Sequence, residues 1–251
     1  MKTKTAIFTG TSGWSYEHWL KRFYPEDINK NEWFSYYTRY FNTVELNMSF
    51  YRYPFPNMLK GWKNKMPDDF KMTFKANRQI THYKKFHEVE EELNKFYGMT
   101  KNLQGNTGCI LFQTPPSFQC DEGNFRVMLK FMDLLDQSFN NVIEFRHPSW
   151  WNKDVLKLLK AHNVGFCTVS GLDMPSDVII SANFAYFRFH GPGKPYASEY
   201  SEEQLVNWAD AITQKAKQNN LKEIYCYFNN DYFGYAIKNA RRLDELLKER
   251  V

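Results

Sequence analysis

Eight short runs rich in β-branched and aromatic residues recur along the chain, most of them followed by a helical pattern, and this alternation constrains the fold more than any other feature. The runs are AIFTG (6–10), TVELN (43–47), KMTFKA (71–76), CILFQT (109–114), NVIEFR (141–146), GFCTVS (165–170), FAYFRFHG (184–191) and EIYCYFNN (223–230). Between them Phe125, Met128, Leu129, Met132 and Leu135 recur at three- and four-residue spacing. So do Val155, Leu158, Leu159 and His162, and likewise Ile237, Ala240, Leu243, Leu246 and Leu247, each set marking one apolar helix face. Strands that alternate with helices pair in parallel through right-handed crossovers. Eight such units in 251 residues have the size of a TIM-type (β/α)8 barrel. No linker rich in Pro, Gly or Ser interrupts the chain, so 1–251 reads as a single α/β domain. An open doubly wound sheet is the alternative, but it calls for a glycine-rich phosphate fingerprint after the first strand, and GTSGW lacks the third glycine.

Hydrophobic residues make up 43% of the chain and aromatic residues 18%, enough to fill one large core. Lys and Arg outnumber Asp and Glu by 33 to 28, which permits an anionic ligand but falls short of the basic stripe of a duplex-DNA binder. The opening MKTKTAIFTG holds no apolar stretch of signal-peptide length, and no run approaches the ~18–20 apolar residues of a membrane span. Cys109, Cys120, Cys167 and Cys226 are widely separated, and three of them fall inside strand-like runs, as reduced core thiols would. These features predict a cytoplasmic protein with no membrane partner and leave the oligomeric state open.

In a barrel, sites form where the strands end at their carboxyl side. The ends of six runs here carry Glu45 and Asn47, Lys75, Gln113, Glu144 and Arg146, Arg188 and His190, and Asn229 and Asp231. Several come as i, i+2 pairs, which place both side chains on one strand face. Any one pair, such as Glu144 with Arg146, is also readable as an ion pair that fixes register. Six together at one rim point to a site. His147 precedes Pro148 and is assigned to the turn, and one of Asn229, Asn230 and Asp231 is expected to cap the last helix. The loop HGPGKPY (190–196) and the NND turn occupy the region where barrels often bind phosphate through backbone N–H groups. Long aromatic loops follow the first two strands; from these Trp14 and Tyr51 are taken as ligand contacts.

The segments GTSGWSYEHW with FYP, FNTVELNMSFY, the W…P…F…K stretch ending in ITH, ILFQTPPSF, EFRHPSW, YFRFHG and YFNNDYFGYAIKNA together resemble the YecE-like family, domain of unknown function 72. The likeness runs from about Gly10 to Leu243, departing at Met48, at Thr114 and most of all in GLDMPSDVII. It implies a TIM-type barrel and supplies no reaction.

Three chemistries compete for the rim. A retaining glycosidase of the common barrel kind would end strands four and seven in carboxylates, where this chain has Gln113 and His190; glycan hydrolysis would have to use Glu45 and Glu144. A multinuclear metal site is under-supplied with histidine, although a single Mg²⁺ on Glu45, Glu144 or Asp231 needs only one or two carboxylates. The preferred reading is a phosphate-bearing ligand, namely a nucleotide, a sugar phosphate or single-stranded nucleic acid. Lys75, Arg146 and Arg188 would neutralise the anion, with Gln113, Asn47, Asn229 and Asp231 as further contacts. Glu144, His190 and Glu45 are the catalytic candidates if the protein is a phosphoesterase-type hydrolase. A binder that releases its ligand unchanged is the competing class.

Overall fold

A computed structural model, which describes residues 4–103 and 105–251, folds the chain into a nearly closed TIM barrel. The eight strands are β1 (Ala6–Thr11), β2 (Thr43–Leu46), β3 (Lys71–Lys75), β4 (Thr107–Gln113), β5 (Asn140–Glu144), β6 (Gly165–Ser170), β7 (Phe184–Phe189) and β8 (Glu223–Phe228). They hydrogen-bond in the order β1-β8-β7-β6-β5-β4-β3-β2, and every pair is parallel. Each sequence run therefore holds one strand.

Side-chain alternation sorts two cores. Phe8, Leu111, Val142, Val169, Tyr186, Tyr225 and Tyr227 fill the barrel interior. Ile110, Phe112, Ile143 and Phe187 point outward against the helices. In the fifth run the pattern is plain: Val142 faces in, Ile143 faces out, Glu144 faces in, and Phe145 faces out to stack on Trp150 at 4.5 Å.

The helices are α1 (Trp33–Tyr37), α2 (Met48–Tyr51), α3 (Pro56–Lys63), α4 (Glu90–Lys101), α5 (Glu122–Leu134), α6 (Lys153–Ala161), α7 (Glu202–Asn219) and α8 (Tyr235–Arg250). Side-chain caps start three of them. Asp121 accepts from the Asn124 amide, Asn152 from that of Val155, and Ser201 with Gln204 forms a capping box. All five apolar positions read for α8 are buried, whereas Leu129 of α5 is 41% exposed and His162 ends α6. The connection from β6 to β7 carries no helix, so the sixth of the eight βα units anticipated from the alternation has an irregular segment instead, in which Val178, Ile179 and Ile180 pack on the core.

β1 and β2 share no ladder, and side chains close that seam. Asn42 Nδ2 donates to the Ile7 carbonyl at 2.7 Å, and its Oδ1 accepts from the Thr9 amide at 3.3 Å. The Tyr37 hydroxyl accepts from the Thr11 amide and donates to the Thr43 carbonyl, both at 3.0 Å. The approach is close enough that a Cβ on Gly10 would lie 2.2 Å from the Thr43 oxygen. All four cysteines are free, with Cys109, Cys167 and Cys226 buried in β4, β6 and β8. No helix among the described residues is long and apolar enough to cross a membrane.

Candidate functional site

Arg188, near the end of β7, organises the floor beneath the carboxyl-end rim. Its Nη1 donates to Glu144 Oε2 and its Nη2 to Glu45 Oε1, both at 2.7 Å, and all three side chains are buried. Glu45 also accepts from Ser12 Oγ at 2.8 Å and from the Tyr186 hydroxyl at 2.5 Å, so it is fully engaged. Arg146 Nε lies 2.5 Å from Glu144 Oε1 as a charge contact without hydrogen-bond alignment, and Arg146 Nη2 donates to Gln113 Oε1 at 3.1 Å. Burial alone would raise the Glu144 pKa, but the charges of Arg146 and Arg188 overcome it and hold the carboxyl well below the usual range. Glu144 is therefore ionised at every pH near neutrality. Glu144 and Arg146 thus form an ion pair whose carboxylate is fully buried and whose guanidinium lines a cavity.

Two further groups, His190 and Lys75, are made less basic by the same surroundings. His190 is buried, and burial followed by the Arg188 charge pushes its pKa well below 6.5, so the ring is neutral. Asn229 Nδ2 approaches His190 Nδ1 at 3.3 Å; with the amide donating, the ring proton resides on Nε2, 3.9 Å from Glu144 Oε1. Lys75 ends β3 with its Nζ 4.3 Å from the centre of the Phe50 ring. Burial, then the Arg188 charge, lowers its ammonium from 10.5 to about 8.

Above this floor opens a cavity of about 460 Å³. Eight of the residues read from the sequence line it: Asn47, Tyr51, Lys75, Gln113, Arg146, Arg188, Asn229 and Asp231. Glu45, Glu144 and His190 lie below, reaching it through Arg188 and Asn229. Trp14 lines a second cavity of about 470 Å³, which shares Tyr16 and Asn47 with the first.

Four further lining residues come from loops and were not singled out as contacts: Tyr16, His18, Tyr196 and Tyr232. Of these His18 matters most chemically. Its Nε2 lies 2.9 Å from Asp231 Oδ2, while the Trp19 indole donates to both oxygens of the same carboxylate at 2.9 and 3.0 Å. Burial raises Asp231 from 3.8 to about 6 against the opposing effect of the Trp19 bond. Tyr51 and Tyr232, 65% and 72% exposed, stand among the lining residues, with the Arg78 guanidinium 5.7 Å from the centre of the Tyr51 ring.

Two local expectations are corrected. None of the NND side chains caps α8, whose N-cap is Gly234 at φ +78°; Asn230 instead donates to the Ser198 carbonyl and to Asn239 Oδ1. Tertiary partners took all three side chains. In HGPGKPY the Gly191 amide donates to the Tyr200 hydroxyl at 3.0 Å, and residues 192–195 are exposed outside the cavity lining, so this loop delivers Tyr196 rather than a nest of amides. His147 does shape the turn, its Nδ1 accepting from the Ser149 amide.

Among the described residues no three His, Cys, Asp or Glu side chains gather as metal ligands. Glu45 and Glu144 are committed to arginine, and Asp231 to Trp19 and His18, an arrangement that leaves no carboxylate directed at a shared hard cation. The cavity has the cations Arg146 and Lys75 at its floor, tyrosines at its mouth, and the Asp231–His18 carboxylate–imidazole pair on one wall.

The chain matches the family model described as protein of unknown function DUF72 over residues 8–251. It is 26% identical over 272 residues to the UPF0759 protein YunF of Bacillus subtilis (strain 168), covering 96% of this chain and 94% of that protein. The UPF0759 protein YecE of Escherichia coli (strain K12) is 29% identical over 147 residues, 59% of this chain and 51% of that protein. Among solved structures, a DUF72 family protein from Thermotoga maritima MSB8 superposes with TM-score 0.88 at 29% identity, over 97% of this chain and 99% of that one. One from Enterococcus faecalis V583 gives TM-score 0.83 at 20% identity, over 96% and 95%, a likeness of fold. The chain belongs to the DUF72 family.

Proposed function

We propose that this DUF72 protein binds a phosphate-bearing ligand, a nucleotide, a sugar phosphate or a stretch of single-stranded nucleic acid, in the cavity at the carboxyl end of its barrel. The observation that carries the reading is that Lys75 has no carboxylate within 4 Å among the described residues, while Arg146 lines the same cavity with only one of its nitrogens near a carboxylate. Arg188 is different: both of its terminal nitrogens are taken up by Glu45 and Glu144, so it acts as an anchor that sets Glu144, which in turn sets Arg146. A cavity of about 460 Å³ has the size of a nucleotide or sugar-phosphate pocket. Tyr51, Tyr196 and Tyr232 supply ring faces for a base or sugar, each stacked base contributing about 1–3 kcal/mol.

The test is titration calorimetry with pyrophosphate, AMP, glucose 6-phosphate and a short oligothymidylate. Arg146→Ala and Lys75→Met should each weaken whichever probe binds by about 10–100-fold, the value of one charge-assisted hydrogen bond. Folded variants that keep wild-type affinity for every bound probe would overturn the reading.

One observation favours hydrolysis in addition to binding: His18, held by Asp231, is an imidazole positioned on the cavity wall by a carboxylate, the arrangement of a general base. His190, neutral and buried, serves better as a support for Asn229 than as the acid/base group. Phosphate release from the bound probe that is lost in His18→Gln with affinity intact separates hydrolase from binder. Four unpaired thiols suit a reducing compartment, in keeping with a cytoplasmic protein.

A further inference from the structure

Lys75 differs from the other cations of the floor in a way that charge binding alone does not require. Arg146 and Arg188 each sit against a carboxylate, at 2.5 and 2.7 Å, whereas Lys75 Nζ has no carboxylate within 4 Å among the described residues and rests over the Phe50 ring. An amine in that position is desolvated, flanked by positive charge and open to the cavity. Those are the conditions that make a lysine a nucleophile.

We infer that Lys75 forms an imine with an aldehyde or ketone group of the ligand, so that the anionic carbonyl compounds, among phosphate-bearing molecules, are the substrate class of this site. The inference rests on the anion-binding reading above and narrows it. In the step, the neutral Nζ lone pair attacks the carbonyl carbon, forming a C–N bond as the C=O π pair moves to oxygen. The carbinolamine then loses that oxygen as water, which carries away both amine protons, and the C=N bond forms. No oxidant or reductant is involved.

The electrostatics agree with the geometry. At about 8, the Lys75 ammonium is roughly one-tenth neutral at pH 7, against a far smaller fraction for an ordinary lysine at 10.5. Arg146 and Gln113, bonded to each other on the same floor, would hold the anionic end while the carbonyl reaches Nζ.

The test uses the full chain with two probes, pyridoxal 5′-phosphate and the smaller glyoxylate, and with pyridoxal as the phosphate-free control, each trapped with borohydride and mapped by peptide mass. Lys75 should be modified at least about tenfold faster than exposed lysines such as Lys194 and Lys238, with a rate that rises with pH and levels off above about 8. Lys75→Arg, whose guanidinium forms no imine, should lose the fast adduct. The inference is overturned if neither probe modifies Lys75 faster than the exposed lysines. The two readings fail separately. Fast adducts from pyridoxal and pyridoxal 5′-phosphate alike, with no protection by pyrophosphate, leave the imine standing and remove the phosphate preference. Pyrophosphate binding without a fast adduct does the reverse.

Discussion

Arg188 holds Glu144 across the barrel interior, Nη1 to Oε2 at 2.7 Å, with both side chains buried. The same guanidinium binds Glu45, so removing it leaves buried Glu45 with no cation and Glu144 with Arg146 alone. Arg188→Met should therefore cost about 3–5 kcal/mol, read by urea denaturation, because an unpaired buried charge is far costlier than a missing pair. Arg188→Met combined with Glu45→Gln and Glu144→Gln should recover most of that loss. A triple variant no more stable than the single one would show that the network does not act as a unit.

Acid should expose the Glu144 contribution. Its folded pKa is depressed below the ordinary 4.5, so the stabilisation it provides is present above about 4.5 and lost as pH falls below that. The melting temperature of wild type should drop in this range more steeply than that of Glu144→Gln. Asp231 works in the opposite sense: raised to about 6, it stabilises fully below 3.8 and loses that contribution as pH rises through about 6. Asp231→Asn should flatten the profile near 6 and leave the acid limb unchanged. Parallel profiles for the variant and wild type in either window would refute the corresponding assignment.

Anion affinity should fall as pH rises through about 8, because Lys75 loses its charge there. Pyrophosphate titrations across that range should show the decline in wild type. Lys75→Arg, charged throughout, should show none. A decline of equal size in both proteins would place its origin elsewhere.

The seam should be sensitive to a single methyl group. Gly10→Ala puts a Cβ 2.2 Å from the Thr43 carbonyl oxygen, and both partners are backbone, so the strands must separate. We expect a loss of more than about 3 kcal/mol or failure to fold. Asn42→Ala, which removes the bonds to Ile7 and Thr9, should cost about 1–3 kcal/mol in urea denaturation. An unchanged midpoint for Asn42→Ala would mean that the seam is held by other contacts.

The strands were legible because barrel strands are continuous apolar runs with polar ends, and the i, i+2 spacing of Glu144 with Arg146 and of Arg188 with His190 survives into the structure as a shared interior face. What strand spacing cannot encode is contact between loops. His18 and Asp231 are 213 positions apart, and only the pairing of β1 with β8 brings their loops together. The NND residues failed as caps for the same reason: a side chain with local capping chemistry is recruited by distant partners, here Trp19, His190 and Asn239. GLDMPSDVII, the segment least like the family pattern, is where the alternation of strand and helix breaks.

The unladdered seam has a consequence for the cavities above it. On one side stand residues tied to β1 and β8, such as Tyr16, His18 and Asp231; on the other stand Asn47 and Lys75, which follow or end β2 and β3. A bound molecule that touches both groups bridges the gap where backbone bonding is missing. It becomes a clasp completing the hoop, and the amide protons of Thr9 and Thr11, which bond only to side chains across that gap, should exchange with solvent more slowly when the clasp is in place.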